Sequence, residues 1–442
     1  MERSGAGATT AAASAPRARE ARRAGITAFI GTTIEWFDFY IYGSASALVL
    51  GTIFFPEVTP ALGTLAAFAT FWVGFLARPL GGVVFGHFGD RFGRKKALII
   101  TLVMMGGATF CVGLLPTYAQ IGAAAPVLLV CLRMVQGVAM GGEWGGAVLI
   151  ATEYAPPGKK ILYGAFAQQG SPVGNLLATL AFLGIAHLSD SAFASWGWRL
   201  PFLVSAVLVL VGLFIRLRLT ETPEMRAVLA SEQRSKLPIK DVLGRYPVLV
   251  ALGVGAGTAG VAITYVKTTF ALSWATEELA FSRSSFLTVI TIALVVQVCA
   301  QPLGAVLASR VDLKRAVLWM LLPEIVLLPA MFALVSTGSM PLAILGMALA
   351  TVPHATYYAA LAGLLAQVFP VEVRYTAISL CYQLCTTLFA GTAPIACQFL
   401  LARTGSIVPV VVLGLVYVLI TLVCAVALIR RSGALSRRAT GA

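Results

Sequence analysis

Apolar stretches of about 20 residues or more, separated by short polar or glycine-rich connections, recur twelve times along the chain. A stretch of that length crosses the roughly 30 Å hydrocarbon core of a bilayer as a helix. In lipid only a helix or a closed barrel satisfies its own backbone hydrogen bonds. The pattern therefore predicts spanning helices near 24–52, 61–86, 97–115, 124–152, 162–187, 198–219, 246–273, 284–308, 315–336, 341–367, 375–402 and 406–430. The longest polar interval inside the chain, 220–245, holds Glu221, Pro223, Glu224, Glu232, Pro238 and Asp241 and divides the helices six and six. The expected organisation is an N-terminal bundle over 24–219, a cytoplasmic central loop over 220–245 and a C-terminal bundle over 246–430. Cytoplasmic tails at 1–23 and 431–442 flank it, the first Ala- and Arg-rich and expected to be disordered.

Composition excludes the soluble alternatives. Hydrophobic residues make up 59% of the 442 positions and charged residues 11%, with a mean hydropathy of +0.89, which is a membrane composition. The formal charge of +14 would suit nucleic acid only if the basic residues formed one face, and they do not. Of 32 Lys and Arg, 26 fall in the termini and the even-numbered connections or within four residues of them, while 54–60, 116–122 and 187–197 carry none. By the positive-inside rule this alternation puts both termini in the cytoplasm of a multi-pass protein in a bacterial inner or plasma membrane, with no nucleic-acid partner. The run from Gly86 to Lys96, GHFGDRFGRKK, is the plainest such turn: Gly89 and Gly93 permit the backbone, and Arg91, Arg94, Lys95 and Lys96 hold it on the cytoplasmic side. All seven cysteines fall inside predicted helices without CxxC spacing and read as packing residues.

The two halves echo each other. Glu153, Pro156, Lys160 and Gln169 recur 214 positions later as Gln367, Pro370, Arg374 and Gln383, and RPLGG at Arg78 returns as QPLGA at Gln301. Six-helix repeats of the same direction predict a site near the membrane midplane between the halves.

Five segments carry a family likeness: EWFDFYIYG from Glu35, RPLGGVVFGHFGDRFGRKK from Arg78, RMVQGVAMGGEWGGA from Arg133, WGWRLPF from Trp196 and FPVEVRYTAISLCYQL from Phe369. They resemble the major facilitator superfamily and, in detail, its metabolite:proton symporter family, relatives of carriers for α-ketoglutarate, citrate, shikimate and proline or betaine. The resemblance covers nearly the whole chain after Ala24. It implies twelve helices in two pseudo-symmetric six-helix bundles, an all-α membrane fold, and import of a small carboxylate-bearing or zwitterionic metabolite by proton symport with alternating access. Gln367 and Ala377 depart from the family pattern, which has a glutamate before FP and a glycine after RYT, and ASRVDLKRA from Ala308 lacks the glycines of its first-half counterpart.

Ionisable groups within the spans carry the candidate chemistry, because a charge at the bilayer centre costs at least about 2.5–3.5 kcal/mol. Asp38 lies about 21 Å into helix 1 and Arg133 about 15 Å from the outer end of helix 4, so both fall near the middle. A carboxylate facing an arginine inside apolar walls is a proton switch, and the resemblance implies Asp38 and Arg133 as the coupling pair. Glu35, one turn before Asp38, either relays protons or hydrogen-bonds helix 4. Arg133 also begins an RxxQG pattern with Gln136 and Gly137, suited to a two-point grip on a substrate carboxylate. Glu143 among glycines, with Arg78 as its expected partner, reads as structural or gating. Asp90, Arg91 and Arg94, with Glu153 and Arg374, read as gating charges at helix ends, or as solvated turns. Lys267 either faces the cavity as a second cation or snorkels outward, and Glu324 has no assigned role. His354 either donates to substrate or packs. Tyr40, Tyr42, Trp144, Gln168, Gln169, Tyr265, Tyr382 and Gln383 are candidate substrate-lining residues, in a cavity expected between helices 1, 4, 7 and 10.

No GxSxG, HExxH, P-loop or dinucleotide pattern occurs, so the chain does not read as an enzyme, and no metal or cofactor is expected. The expected partners are a small-molecule substrate, protons and the lipid bilayer, with the protein a monomer. The competing reading on the same fold is a proton-coupled antiporter that exports drugs or other toxic compounds.

Overall fold

The computed structural model describes residues 6–92, 94–154, 160–217, 239–369 and 374–440, all helix and connection with no strand among them. Twelve helices cross the molecule: α1 (Arg22–Phe54), α2 (Pro60–Phe85), α3 (Lys95–Leu114), α4 (Ala124–Val148), α5 (Lys160–Ile185), α6 (Gly197–Leu217), α7 (Pro247–Glu277), α8 (Arg283–Arg310), α9 (Leu313–Ser336), α10 (Met340–Ala362), α11 (Ala377–Thr404) and α12 (Val408–Arg431). Eleven of them are long and apolar enough to span a membrane by composition alone, and α5 is the twelfth. Its shortfall has a physical reason. Gln168, Ser171, Asn175 and Thr179 make one side of α5 polar, and all four are buried. The alternation of twelve helices brings Arg22 and Arg431 to the same face, hereafter the terminal face.

Burial sorts the helices into layers. The most apolar stretch is 83% buried in α1 and in α7, but only 28% in α6 and 33% in α12. So α1 and α7 form the axis of their bundles, and α6 and α12 turn side chains such as Leu210 and Val423 outward. An apolar exterior costs nothing in lipid, and packing must then supply the specificity. Between α2 and α4 it does so through glycine: a Cβ on Gly137 would strike the carbonyl of Gly74, and one on Gly81 that of Val138. The second half repeats this contact where Gly304 of α8 meets Thr356 of α10.

Three helices contain a π-helical turn, Ser46–Leu50 in α1, Val266–Phe270 in α7 and Thr386–Ala390 in α11. Such turns insert one residue into an α-helix and occur often at functional sites.

Some expectations are corrected. Helix continues from α1 back to Ala6, through an alanine-rich stretch of high helix propensity. The last helix likewise runs on to Thr440. Cys111, Cys131 and Cys299 are exposed on the outside of the bundle rather than packed within it. The central loop from 220 to 238 lies outside the described residues.

Candidate transport site

Helix α1 presents chemistry on two opposite sides. Glu35, Asp38 and Tyr42, spaced by three and four residues, share the face toward the first bundle, while Tyr40 looks across to the second half. Asp38 is buried, faces the hydroxyls of Thr109 and Ser205, and has one carboxylate oxygen, Oδ1, without a hydrogen-bond partner. The expected ion pair between Asp38 and Arg133 is absent. Arg133 instead donates from Nη1 to Oε1 of Gln136 at 2.6 Å and from Nη2 to the carbonyl of Phe71 at 3.3 Å. Its guanidinium lies 4.0 Å from the ring centre of Tyr42 and 4.6 Å from that of Phe39. The link to Asp38 is indirect. Gln136 Nε2 donates to Thr109 Oγ1 at 2.7 Å, and that hydroxyl donates to the carbonyl of Met105 at 2.9 Å.

Glu143 likewise has a different partner from the one expected. At the end of the first helical stretch of α4, Gly142 and Glu143 form a turn, and Glu143 pairs there with Arg216 of α6 instead of Arg78. Arg216 also donates to the Leu98 carbonyl. As one of a run of basic residues at a helix end, Arg216 reads in the sequence as a topology charge, yet its side chain turns back into the bundle. Arg78 is fully buried, its guanidinium 5.4–5.7 Å from the rings of Phe75, Phe39 and Trp36, and none of its three nitrogens has a hydrogen-bond partner. Both oxygens of Glu35 are also unpartnered, within electrostatic reach of Arg78, Arg216, Glu143 and Asp38.

Aromatic rings fill the space between the halves. Tyr40 packs against Tyr265 with centroids 5.5 Å apart and approaches Ser171 Oγ at 3.3 Å. Tyr265 also meets Phe71 and Phe75. Tyr358 of α10 shares a 2.9 Å hydrogen bond with Tyr382, and Tyr382 stacks on Trp144. On the terminal side of this cluster Gln169 donates to the Val298 carbonyl at 2.8 Å and Gln383 to the Gly141 carbonyl at 3.1 Å. On the opposite side Thr64 donates to Glu277 at 2.9 Å, and Arg283 pairs with Asp190 at 2.8 Å. The halves therefore touch on both sides of the tyrosines. Gln168 is buried with its Nε2 unpartnered. Tyr42 bonds Thr70 at 2.6 Å inside the first bundle, away from the interface.

In the second bundle Lys267 neither snorkels nor stands free. It is buried in the π-helical turn of α7 and donates to Thr351 Oγ1 at 3.0 Å. Its neighbour His354 meets Thr264 Oγ1 at 3.0 Å through Nε2 and lies 3.4 Å from Glu324 through Nδ1, in a buried polar cluster. That cluster gives Glu324 its place. Among the described residues no group of three or more His, Cys, Asp or Glu is placed to hold a metal ion. The side chains of Asp90, Arg91, Arg94, Glu153 and Arg374 lie outside the described residues.

Comparison with known proteins agrees with this architecture. Residues 24–236 match the family model described as sugar (and other) transporter. The chain is 39% identical to the shikimate transporter of Escherichia coli over 378 residues, 85% of this chain and 86% of that protein. It is 38% identical to the inner membrane metabolite transport protein YhjE of the same organism over 388 residues, 86% of this chain and 88% of that one. Among solved structures, the partially occluded, inward-open xylose transporter XylE from E. coli superposes with a TM-score of 0.72 at 17% identity, covering 92% of this chain and 96% of that one, a likeness of fold. With two bundles of six helices and these transporter relatives, the chain is a multi-pass membrane transporter and not an enzyme, and it belongs to the major facilitator superfamily, among its metabolite transporters.

Proposed function

We propose that the protein imports a small carboxylate-bearing metabolite by proton symport, the halves rocking alternately about the central tyrosines, in a bacterial inner membrane with both termini in the cytoplasm. The observation that carries the proton assignment is Asp38: a buried acid with an unpartnered oxygen, separated from Arg133 only by Thr109 and Gln136. The hydrogen-bond valences give the pair two settings. The Thr109 hydroxyl has its hydrogen on Met105 and accepts from Gln136, which leaves a lone pair for the O–H of a protonated Asp38. An ionised Asp38 has no proton to donate, so the hydroxyl must turn its hydrogen from Met105 to the carboxylate. Proton loading at Asp38 is thereby linked to the rotation of the Thr109 hydroxyl, on which Gln136, the partner of Arg133, also rests. The carboxylate-bearing substrate class rests on the density of buried arginine and phenol donors at the centre and on the likeness to a shikimate transporter.

The test is Asp38→Asn, a permanent mimic of the protonated acid, in proteoliposomes containing a pH-sensitive dye. The expected outcome is loss of substrate-driven proton uptake and of accumulation against a gradient, with substrate exchange retained. Proton-coupled accumulation by Asp38→Asn rules the assignment out, and proton release during uptake favours the exporter.

A further inference from the structure

Among the described residues the first bundle buries three arginines, and their partners differ. Arg216 is held by Glu143 and the Leu98 carbonyl. Arg133 is held by Gln136 and the Phe71 carbonyl. Arg78 alone of the three has Nε, Nη1 and Nη2 all without a hydrogen-bond partner, although its side chain is completely buried. A guanidinium out of water with its donors unengaged is costly unless an anion completes it.

We propose that Arg78 is the receptor for the substrate's carboxylate, a role that rests on the carboxylate-import reading above and moves the grip from Arg133 to Arg78. The geometry supplies both a floor and a ring of donors. The faces of Trp36, Phe39 and Phe75 lie 5.4–5.7 Å from the guanidinium carbon and support its plane. Tyr40, Tyr265, Tyr358 and Tyr382 all lie within reach of its charge. The hydroxyl of Tyr265 is itself buried and faces that of Tyr40. A carboxylate against Arg78 presents two oxygens to the planar fork and keeps lone pairs for phenol donors, the arrangement for which arginine is suited and lysine is not.

Two further observations fit. Glu35, with both oxygens unpartnered, is the acid of α1 within reach of Arg78, and it serves as counter-charge when the site is empty, yielding that role to the arriving anion. The internal repeat places Gln301 where the first half has Arg78, and its amide is likewise buried with both Nε2 and Oε1 unpartnered. The first residue of this motif thus offers an unengaged polar head in each half. The tyrosines come from α1, α7, α10 and α11, whereas Arg78 comes from α2. An anion bound between them joins the two bundles, which is how a substrate lowers the barrier to their movement.

The experiment is competition for exchange in proteoliposomes, with shikimate and its methyl ester as the probe pair, on wild type, Arg78→Gln and Arg78→Lys, each checked for a monodisperse profile and an unchanged melting temperature. Wild type is expected to prefer the acid. Arg78→Gln should weaken the acid on the order of tenfold to a hundredfold while leaving the ester unchanged, so that the discrimination disappears, and Arg78→Lys should restore it only in part. If folded Arg78→Gln keeps the wild-type discrimination, Arg78 is not the receptor and the carboxylate reading survives. If wild type prefers the ester, the carboxylate reading itself fails, and this inference with it.

Discussion

Trp144 of the first half lies flat on Tyr382 of the second, their ring centroids 4.0 Å apart and their planes inclined by 8°. Gln383, the next residue, donates to the carbonyl of Gly141 on the same side of the molecule, so the stack and the hydrogen bond close the terminal face together. A protein that exposes its centre alternately to the two sides must break this contact in one of its states.

Trp144→Ala should therefore favour the state open at the terminal face. An aromatic pair contributes about 0.5–1.5 kcal/mol beyond the area it buries, which corresponds to a shift in population of roughly two- to tenfold. Spin labels at Lys96 and Arg315, in a background without the native cysteines, should show a longer mean distance by electron–electron resonance. An unchanged distance distribution would mean that the stack does not hold the closed state.

The pairing of Glu143 with Arg216 predicts a specific double-mutant pattern. Glu143→Gln alone leaves a buried guanidinium without its counter-charge and should cost about 3–5 kcal/mol of stability, as should Arg216→Met alone. The double variant should recover much of that loss, whereas combining Glu143→Gln with Arg78→Gln should recover none. Denaturant titration in detergent measures all of these, and recovery through Arg78 would restore the pairing read from the sequence.

Two glycine substitutions with the same chemistry should separate cleanly. Gly137→Ala puts a methyl group into the Gly74 carbonyl, so α2 and α4 must move apart and folded yield should fall sharply. Gly107→Ala meets nothing within 4 Å and should leave yield and melting temperature at wild-type values or slightly above. Size-exclusion profiles of the two variants decide it.

The helices were legible because a bilayer imposes length and a composition gradient on every span, and lysine and arginine mark the connections. Even α5 was found, since its glutamines and asparagine interrupt but do not end an apolar run. The partners were not legible. Depth along a helix follows from counting residues, and Arg78 and Glu143 count to comparable levels; whether two side chains meet depends on the rotation of each helix, which no single helix encodes. Arg216 shows the difficulty from the other side, because a basic residue one turn inside a helix end reads like its neighbours in the loop until Glu143 is seen beside it. The place of Thr109 between Asp38 and Gln136 was not legible either, because a threonine in an apolar helix carries no charge to flag it.

The π-helical turns in α1, α7 and α11 carry a consequence for how such chains diverge. Each holds one residue more than a regular helix needs, so loss of a single codon there would close the bulge and leave the turns on either side in register. In α7 such a deletion would keep Trp274 and Glu277 against their present neighbours Phe332 and Thr64 and Tyr265 in place, whereas the same loss from a regular stretch would turn everything beyond it by about 100°. A lineage could in this way gain or lose a residue beside the central tyrosines without rebuilding the face opposite the termini. An alignment of such chains would then carry a one-residue gap with side-chain directions preserved on both sides of it.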